Sequence, residues 1–68
     1  MESANWGVRI RAFRKLKGYT QVEFAKSIGY SVSVLGEVER GARKPDKTFL
    51  SRVSTVLDIS LDELSPPK

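Results

Sequence analysis

Apolar residues recur at intervals of three or four along most of this chain, which is the spacing of one face of an α-helix. The first apolar stripe consists of Trp6, Ile10, Phe13 and Leu16. Asn5 lies just before the stripe and is a candidate N-cap, and Gly18 can adopt the left-handed conformation that commonly ends a helix. We therefore predict a first helix that ends near Lys17.

Two short helices joined by a tight turn are predicted next. Thr20 and Glu23 have the spacing of a capping box, in which each side chain satisfies an unpaired backbone N–H at the start of a helix. The apolar residues of this second helix are Val22, Phe24, Ala25 and Ile28. Gly29 ends it, and Ser31 is the natural N-cap of a third helix that closes at Gly41. The turn between the two helices is only about three residues long.

The third helix is predicted to have an inward and an outward face. Its inward stripe is formed by Val34, Leu35 and Val38. The residues left outside that stripe are Val32, Ser33, Gly36, Glu37 and Arg40. These outward residues are the first candidates for a functional surface, because packing does not explain them.

Two more helices follow a basic connector at residues 42–45. Asp46 can cap the fourth helix, and Ser60 and Glu63 form a second capping box that opens a very short fifth helix, ended by Pro66 and Pro67. The apolar positions of the fourth helix are Phe49, Leu50, Val53, Val56 and Leu57. We therefore predict an all-α fold of five helices in a single domain over residues 1–68. Its core covers about residues 5–64 and precedes a short proline-rich tail.

Composition narrows the range of functions. Twelve Lys and Arg against eight Asp and Glu give a net charge of +4, which favours a polyanionic partner such as nucleic acid or an anionic membrane surface. The chain has no Cys and no His, so thiol nucleophiles, the best zinc ligands and the commonest general base are all absent. We expect neither an enzyme nor a bound metal or cofactor. With no signal-like or membrane-spanning stretch, we expect a cytoplasmic protein that does not contact a membrane.

The stretch from Ile10 to Leu64 resembles the phage repressor and Cro class of helix-turn-helix domains, often called XRE-like. The residues that carry the resemblance are Arg14, Thr20, Gln21, Phe24, Ala25, Ile28, Gly29, Val38, Glu39, Arg40, Gly41, Pro45, Leu57, Leu61, Asp62, Glu63 and Leu64. The resemblance implies five helices around one core. It also implies that helices two and three bind duplex DNA, with helix three in the major groove.

The resemblance assigns roles to the outward residues of helix three. The positions that match the family's base-reading sites are Val32, Ser33 and Glu37, and Gly36 lies where the helix approaches the groove. Val32 can only touch a thymine methyl and Ser33 discriminates weakly, whereas Glu37 can accept from a cytosine amine. The alternative is a solvated face on which Glu37 pairs with Arg40.

Gly36 has two explanations, because a glycine inside a helix costs roughly 1 kcal/mol relative to alanine. One is close approach to DNA, and the other is tight packing against helix two. Gln21, by similarity, should donate to a DNA phosphate at the start of helix two, although it can also be a solvated first-turn residue.

A basic cluster and an ion pair complete the expected site. The residues of the cluster, which we expect to contact DNA phosphates, are Arg40, Arg43, Lys44 and Lys47. The family pairs its equivalents of Arg14 and Glu39 as a partly buried ion pair between helices one and three. This pair is structural, so Glu39 is a poor candidate for a catalytic carboxylate.

The sequence leads to one main hypothesis and one alternative. The main hypothesis is a transcription regulator, most simply a repressor, that binds specific duplex DNA sequences. The alternative is an adaptor or antirepressor that keeps this fold but uses helices three to five to bind a protein partner. Members of the family usually dimerise on DNA, so the resemblance allows either a homodimer on the operator or a monomer in solution.

Overall fold

The computed structural model describes residues 5–65, which form five α-helices. They are α1 (Asn5–Leu16), α2 (Gln21–Ile28), α3 (Val32–Glu39), α4 (Lys47–Leu57) and α5 (Leu61–Leu64). Each helix lies within two residues of its predicted bounds, and residues 5–65 contain no strand. The all-α prediction is therefore confirmed. The predicted stop at Pro66 and Pro67 lies outside the described residues.

The predicted caps account for where α2 to α5 begin. Thr20 and Ser60 each form a complete capping box with a glutamate three residues later. Ser31 accepts a hydrogen bond from the backbone N–H of Val34, and Asp46 accepts one from that of Phe49. α1 already includes Asn5, the first described residue, so the structure does not place an N-cap there.

The core is formed by apolar side chains from all five helices. Its buried members are Ile10, Phe24, Ala25, Ile28, Leu35, Val38, Phe49, Val53, Leu57 and Leu64. Trp6 and Phe13 are half-buried and pack against this cluster. Burial of a large apolar side chain stabilises a fold by about 1.5–3 kcal/mol, so this cluster holds α2 and α3 in place.

Two apolar residues of the first two helices are exposed. Leu16 is 77% exposed, so its place on the apolar stripe of the first helix does not put it in the core, and Val22 is 60% exposed. In the last turn of α1 the inward position is occupied by Arg14, which is only 6% exposed. Val22 lies in the first turn of α2, whose buried face is formed by residues two, three and six positions later.

Gly7 lets α1 approach α3 very closely. A Cβ atom at residue 7 would lie 2.1 Å from the carbonyl oxygen of Val38 and 3.2 Å from that of Glu39. In folded proteins a Cβ atom does not approach a carbonyl oxygen closer than 3.0 Å, so only glycine fits at residue 7. This contact sets where the C-terminal end of α3 lies relative to α1.

Candidate nucleic-acid interface

The turn between α2 and α3 is held by its own backbone and by α4. Gly29 adopts a left-handed conformation with φ of 78°, and the N–H of Tyr30 donates to the carbonyl of Ala25 at 3.0 Å. Arg52 of α4 donates to the carbonyl of Ile28 at 3.2 Å, and its guanidinium carbon lies 5.6 Å from the Tyr30 ring centroid. These contacts fix the direction in which α3 leaves the turn.

We define the outer arc of α3 as the five residues predicted to lie outside its apolar stripe. They are Val32, Ser33, Gly36, Glu37 and Arg40. At 100° per residue these positions span about 140° of the helix circumference. Val32 is 40% exposed, Ser33 and Arg40 are exposed, and Glu37 is half-exposed. The outer arc therefore faces away from the protein core, with one exception.

Gly36 is the exception, because the structure buries it although the sequence placed it outside. Apart from residues 35 and 37 and the backbone of α3, two atoms of the described residues lie within 4 Å of the position its Cβ would take. They are Nη1 of Arg40 at 3.1 Å and Nε2 of Gln21 at 3.7 Å. Two long polar side chains cover Gly36, so tight backbone packing against α2 does not explain it.

Glu37 pairs with Arg43 and not with Arg40, the partner considered under the alternative of a solvated face. Its Oε1 accepts from Nε of Arg43 at 2.7 Å. The chain turns back at Gly41, where φ is 81°, and the N–H groups of Ala42 and Arg43 both donate to the carbonyl of Glu37. That turn brings residue 43 beside residue 37 and partly neutralises the glutamate.

Arg14, Glu39 and Gln21 form a connected polar network beneath the outer arc. Arg14 donates to both carboxylate oxygens of Glu39, at 2.7 Å through Nε and 3.1 Å through Nη2. The two side chains are 7% and 2% exposed, so this ion pair is more deeply buried than the resemblance implied. Gln21 donates its amide to Glu39 at 3.1 Å, which ties the start of α2 to the end of α3.

The basic cluster lies in and beside the connector between α3 and α4. Arg40, Lys44 and Lys47 are exposed and have no acidic partner among the described residues, whereas Arg43 binds Glu37. Asp46, the only acid within residues 40–47, accepts the N–H of Phe49 at 2.8 Å. Three of the four predicted phosphate-binding cations are thus free to attract an anion.

The start of α2 has a glutamate with a perturbed pKa. The carboxylate of Glu23 accepts from the backbone N–H of Thr20 at 3.0 Å, and the backbone N–H of Glu23 donates to the Thr20 hydroxyl oxygen at 3.1 Å. The hydrogen bond from the Thr20 backbone, followed by that from its side chain, lowers the pKa of Glu23 below its ordinary 4.5. The carboxylate stays charged and reinforces the cap.

Sequence reasoning did not identify three residues that position this surface. Gly7 sets the approach of α1 to α3, and Arg52 holds the turn. Arg9 donates to the backbone carbonyls of Glu63 and Leu64, which ties α1 to α5. Only Gly7 gave a signal in the sequence, because a glycine inside a helix is often there to allow close packing. The arginines had none, since their partners are 24 or more residues away.

Two further findings concern residues 5–65. No group of three acidic residues in this part of the chain is placed to hold a metal ion. No helix in it is long and apolar enough to cross a membrane.

Comparison with known proteins agrees with this geometry. Residues 10–64 match the family model described as helix-turn-helix. The whole chain is 60% identical over 68 residues to the uncharacterised HTH-type transcriptional regulator YazB of Bacillus subtilis and covers 99% of it. It is 41% identical over 63 residues to the HTH-type transcriptional regulator SinR of the same organism, where 91% of this chain covers 57% of SinR.

Solved structures show the same arrangement of helices. The crystal structure of the biofilm regulator SinR in complex with DNA superposes with a TM-score of 0.83 at 41% identity, covering 88% of this chain and 97% of that one. The P22 c2 repressor in complex with a synthetic operator superposes with a TM-score of 0.82 at 32% identity, covering 93% and 96% of the two chains.

Proposed function

This chain belongs to the XRE-type helix-turn-helix family, and on that premise we propose that it is a transcription regulator that binds specific sequences of duplex DNA. α3 enters the major groove, and occupancy of the operator represses the adjacent gene. The protein acts in the cytoplasm and has no catalytic role, as its relatives are transcription regulators.

One observation carries this proposal: the outer arc of α3 is uncovered and has free cations beside it. Val32 and Ser33 are exposed at the start of α3, while Arg40, Lys44 and Lys47 are exposed at its end and beyond. An α-helix fits the major groove, and cations beside it attract the phosphates that border the groove.

The contacts we propose follow from that placement. Val32, Ser33 and Glu37 form the part of α3 that meets base edges, and Gly36 lies between them beneath Arg40 and Gln21. Val32 favours a thymine methyl, and Glu37 can accept from a cytosine amine once Arg43 turns to a phosphate. Gln21 has one amide proton committed to Glu39, so its second amide proton is the one that reaches a phosphate.

The remaining cations supply the attraction to the DNA backbone. Lys44 and Lys47 are the simplest phosphate contacts, because both are exposed and neither is paired within the described residues. Binding as a homodimer would place two α3 helices on half-sites about one helical turn apart. The spacing of half-sites in selected DNA fragments would show whether the protein binds as a monomer or as a homodimer.

A salt titration with selected duplexes tests the proposal. Fragments bound by the protein are first selected from random duplex DNA, and the dissociation constant is then measured at several salt concentrations. The logarithm of affinity should fall with the logarithm of salt by about 0.9 per phosphate contact. Lys44→Ala should reduce that slope by about one and weaken binding to all sequences alike.

Lys26→Ala is the matched control, because Lys26 is an exposed lysine at the opposite end of α2 from Gln21. It should leave affinity and slope nearly unchanged. Tight capture of a protein partner, with no binding to any duplex at low salt, would support the adaptor alternative and overturn the regulator.

A further inference from the structure

Arg40 is the one arginine near α3 whose guanidinium is not already bound. Among the six arginines, Arg14 and Arg43 are paired with glutamates. Arg9 and Arg52 donate to backbone carbonyls. Only Arg11 and Arg40 have no partner within the described residues, and Arg11 lies on α1.

The guanidinium of Arg40 does not extend away from the helix. Its Nη1 lies 3.1 Å from the position that a Cβ of residue 36 would take, one turn earlier in α3. Nε2 of Gln21 lies 3.7 Å from the same point. Side chains on a helix lean towards its N-terminus, so this is the direction in which Arg40 is expected to point. The guanidinium therefore lies across the middle of the outer arc of α3.

Because Gly36 has no side chain, the guanidinium of Arg40 can lie over it. The buried state of residue 36 results from Arg40 and Gln21 covering it, and an added side chain would compete with the guanidinium for the same space. A glycine at the centre of a helix costs about 1 kcal/mol relative to alanine. In return for that cost, the missing side chain leaves room for the planar guanidinium of Arg40 on the face of α3 proposed to meet DNA.

The other residues of the outer arc are weak readers of bases. Val32 offers only a methyl contact, Ser33 hydrogen-bonds to any base, and the carboxylate of Glu37 is held by Arg43 at 2.7 Å. A free guanidinium presents two parallel N–H donors, which match O6 and N7 of guanine in the major groove. Arginine to guanine is also the commonest specific contact in the major groove.

We propose that Arg40 is a specificity-determining residue that reads a guanine, and that Gly36 is the position on which its guanidinium rests. This inference rests on the proposed function and changes the expected role of Arg40 from a phosphate contact to a base contact. The operator should then contain one guanine per half-site whose recognition depends on the planar fork and not on charge alone.

The test compares base preference between wild type and Arg40→Lys. Each guanine in the selected duplex is replaced in turn, with its paired base, and the dissociation constant is measured at one salt concentration. For wild type, one guanine per half-site should cost between about 5-fold and about 150-fold in affinity when replaced. For Arg40→Lys the same replacement should cost less than about 3-fold, because lysine keeps the charge but lacks the fork.

Two further variants isolate the geometry. Gly36→Ala should reduce the preference at that same guanine, since its Cβ would displace the guanidinium. Arg11→Lys is the matched control and should leave the base preference unchanged, because Arg11 is an exposed arginine on α1. Circular dichroism confirms that each variant is folded.

The outcomes separate this inference from the proposed function. If Arg40→Lys weakens every duplex equally, or keeps the wild-type preference at all guanines, then Arg40 contacts phosphate or nothing and the inference is wrong while DNA binding stands. If wild type binds no duplex at low salt, the proposed function fails and the role of Arg40 fails with it.

Discussion

Gly7→Ala should destabilise the protein, although alanine is ordinarily the better helix former. The added Cβ would lie 2.1 Å from the carbonyl oxygen of Val38, whereas ordinary contact begins at 3.4 Å, so α1 and α3 must separate locally by about 1.3 Å. The atom that it meets is backbone, which cannot swing aside as a flexible side chain can.

The magnitude follows from two opposing terms. Overpacking of this kind costs about 1–3 kcal/mol, occasionally more, and a clash with backbone belongs at the upper end of that range. The higher helix propensity of alanine offsets at most about 1 kcal/mol of that loss. We therefore expect a net loss of about 2 kcal/mol, which is a large part of the roughly 3–10 kcal/mol total expected for a domain of this size.

The assay is thermal and urea unfolding followed by far-ultraviolet circular dichroism. A loss of about 2 kcal/mol should lower Tm by about 8–16 °C in a domain of 60–100 residues. Gly36→Ala is the matched control, because its Cβ meets only the movable ends of Arg40 and Gln21. That variant should be as stable as wild type or more stable by up to about 1 kcal/mol. Equal or greater stability for Gly7→Ala would refute the close approach of α1 to α3.

Two other predictions concern charged groups. Glu39→Ala should cost about 3–5 kcal/mol by leaving Arg14 buried without its partner, and the double variant Arg14→Met, Glu39→Leu should recover much of that loss. Urea unfolding of the single and double variants checks this, and a loss under 1 kcal/mol for Glu39→Ala contradicts it. The lowered pKa of Glu23 stabilises the folded state at pH values above the ordinary 4.5, and this contribution is lost as the pH falls through the lower folded value. Tm should therefore fall less steeply below pH 4.5 in Glu23→Gln than in wild type, and identical pH profiles would exclude the contribution.

The parts of the fold that were predictable depend on neighbouring residues. Thr20, Ser31 and Asp46 cap their helices through groups three positions away, so the sequence pattern alone locates the three starts. Gly29 ends α2 for an equally local reason, since its φ of 78° favours glycine. Helical periodicity likewise identified most of the core, because inward positions repeat every three or four residues.

Periodicity failed where a polar residue took an inward position. Arg14 is buried in the last turn of α1 because Glu39 of α3 meets it there, and Leu16 is exposed instead. A count of apolar spacings cannot detect this, since the partner lies 25 residues further along the chain. Only the family resemblance pointed to this pair.

By itself, then, the sequence determined five helices, the N-caps of α2 to α5 and which residues of α3 are available to a ligand. Tertiary structure decided how those residues are arranged. It placed Arg40 over Gly36, paired Glu37 with Arg43, and brought Gly7 against the backbone of α3. The physical reason is that helix formation is governed by groups within four residues of one another. Contacts between side chains depend on where packing places segments that are distant in the chain.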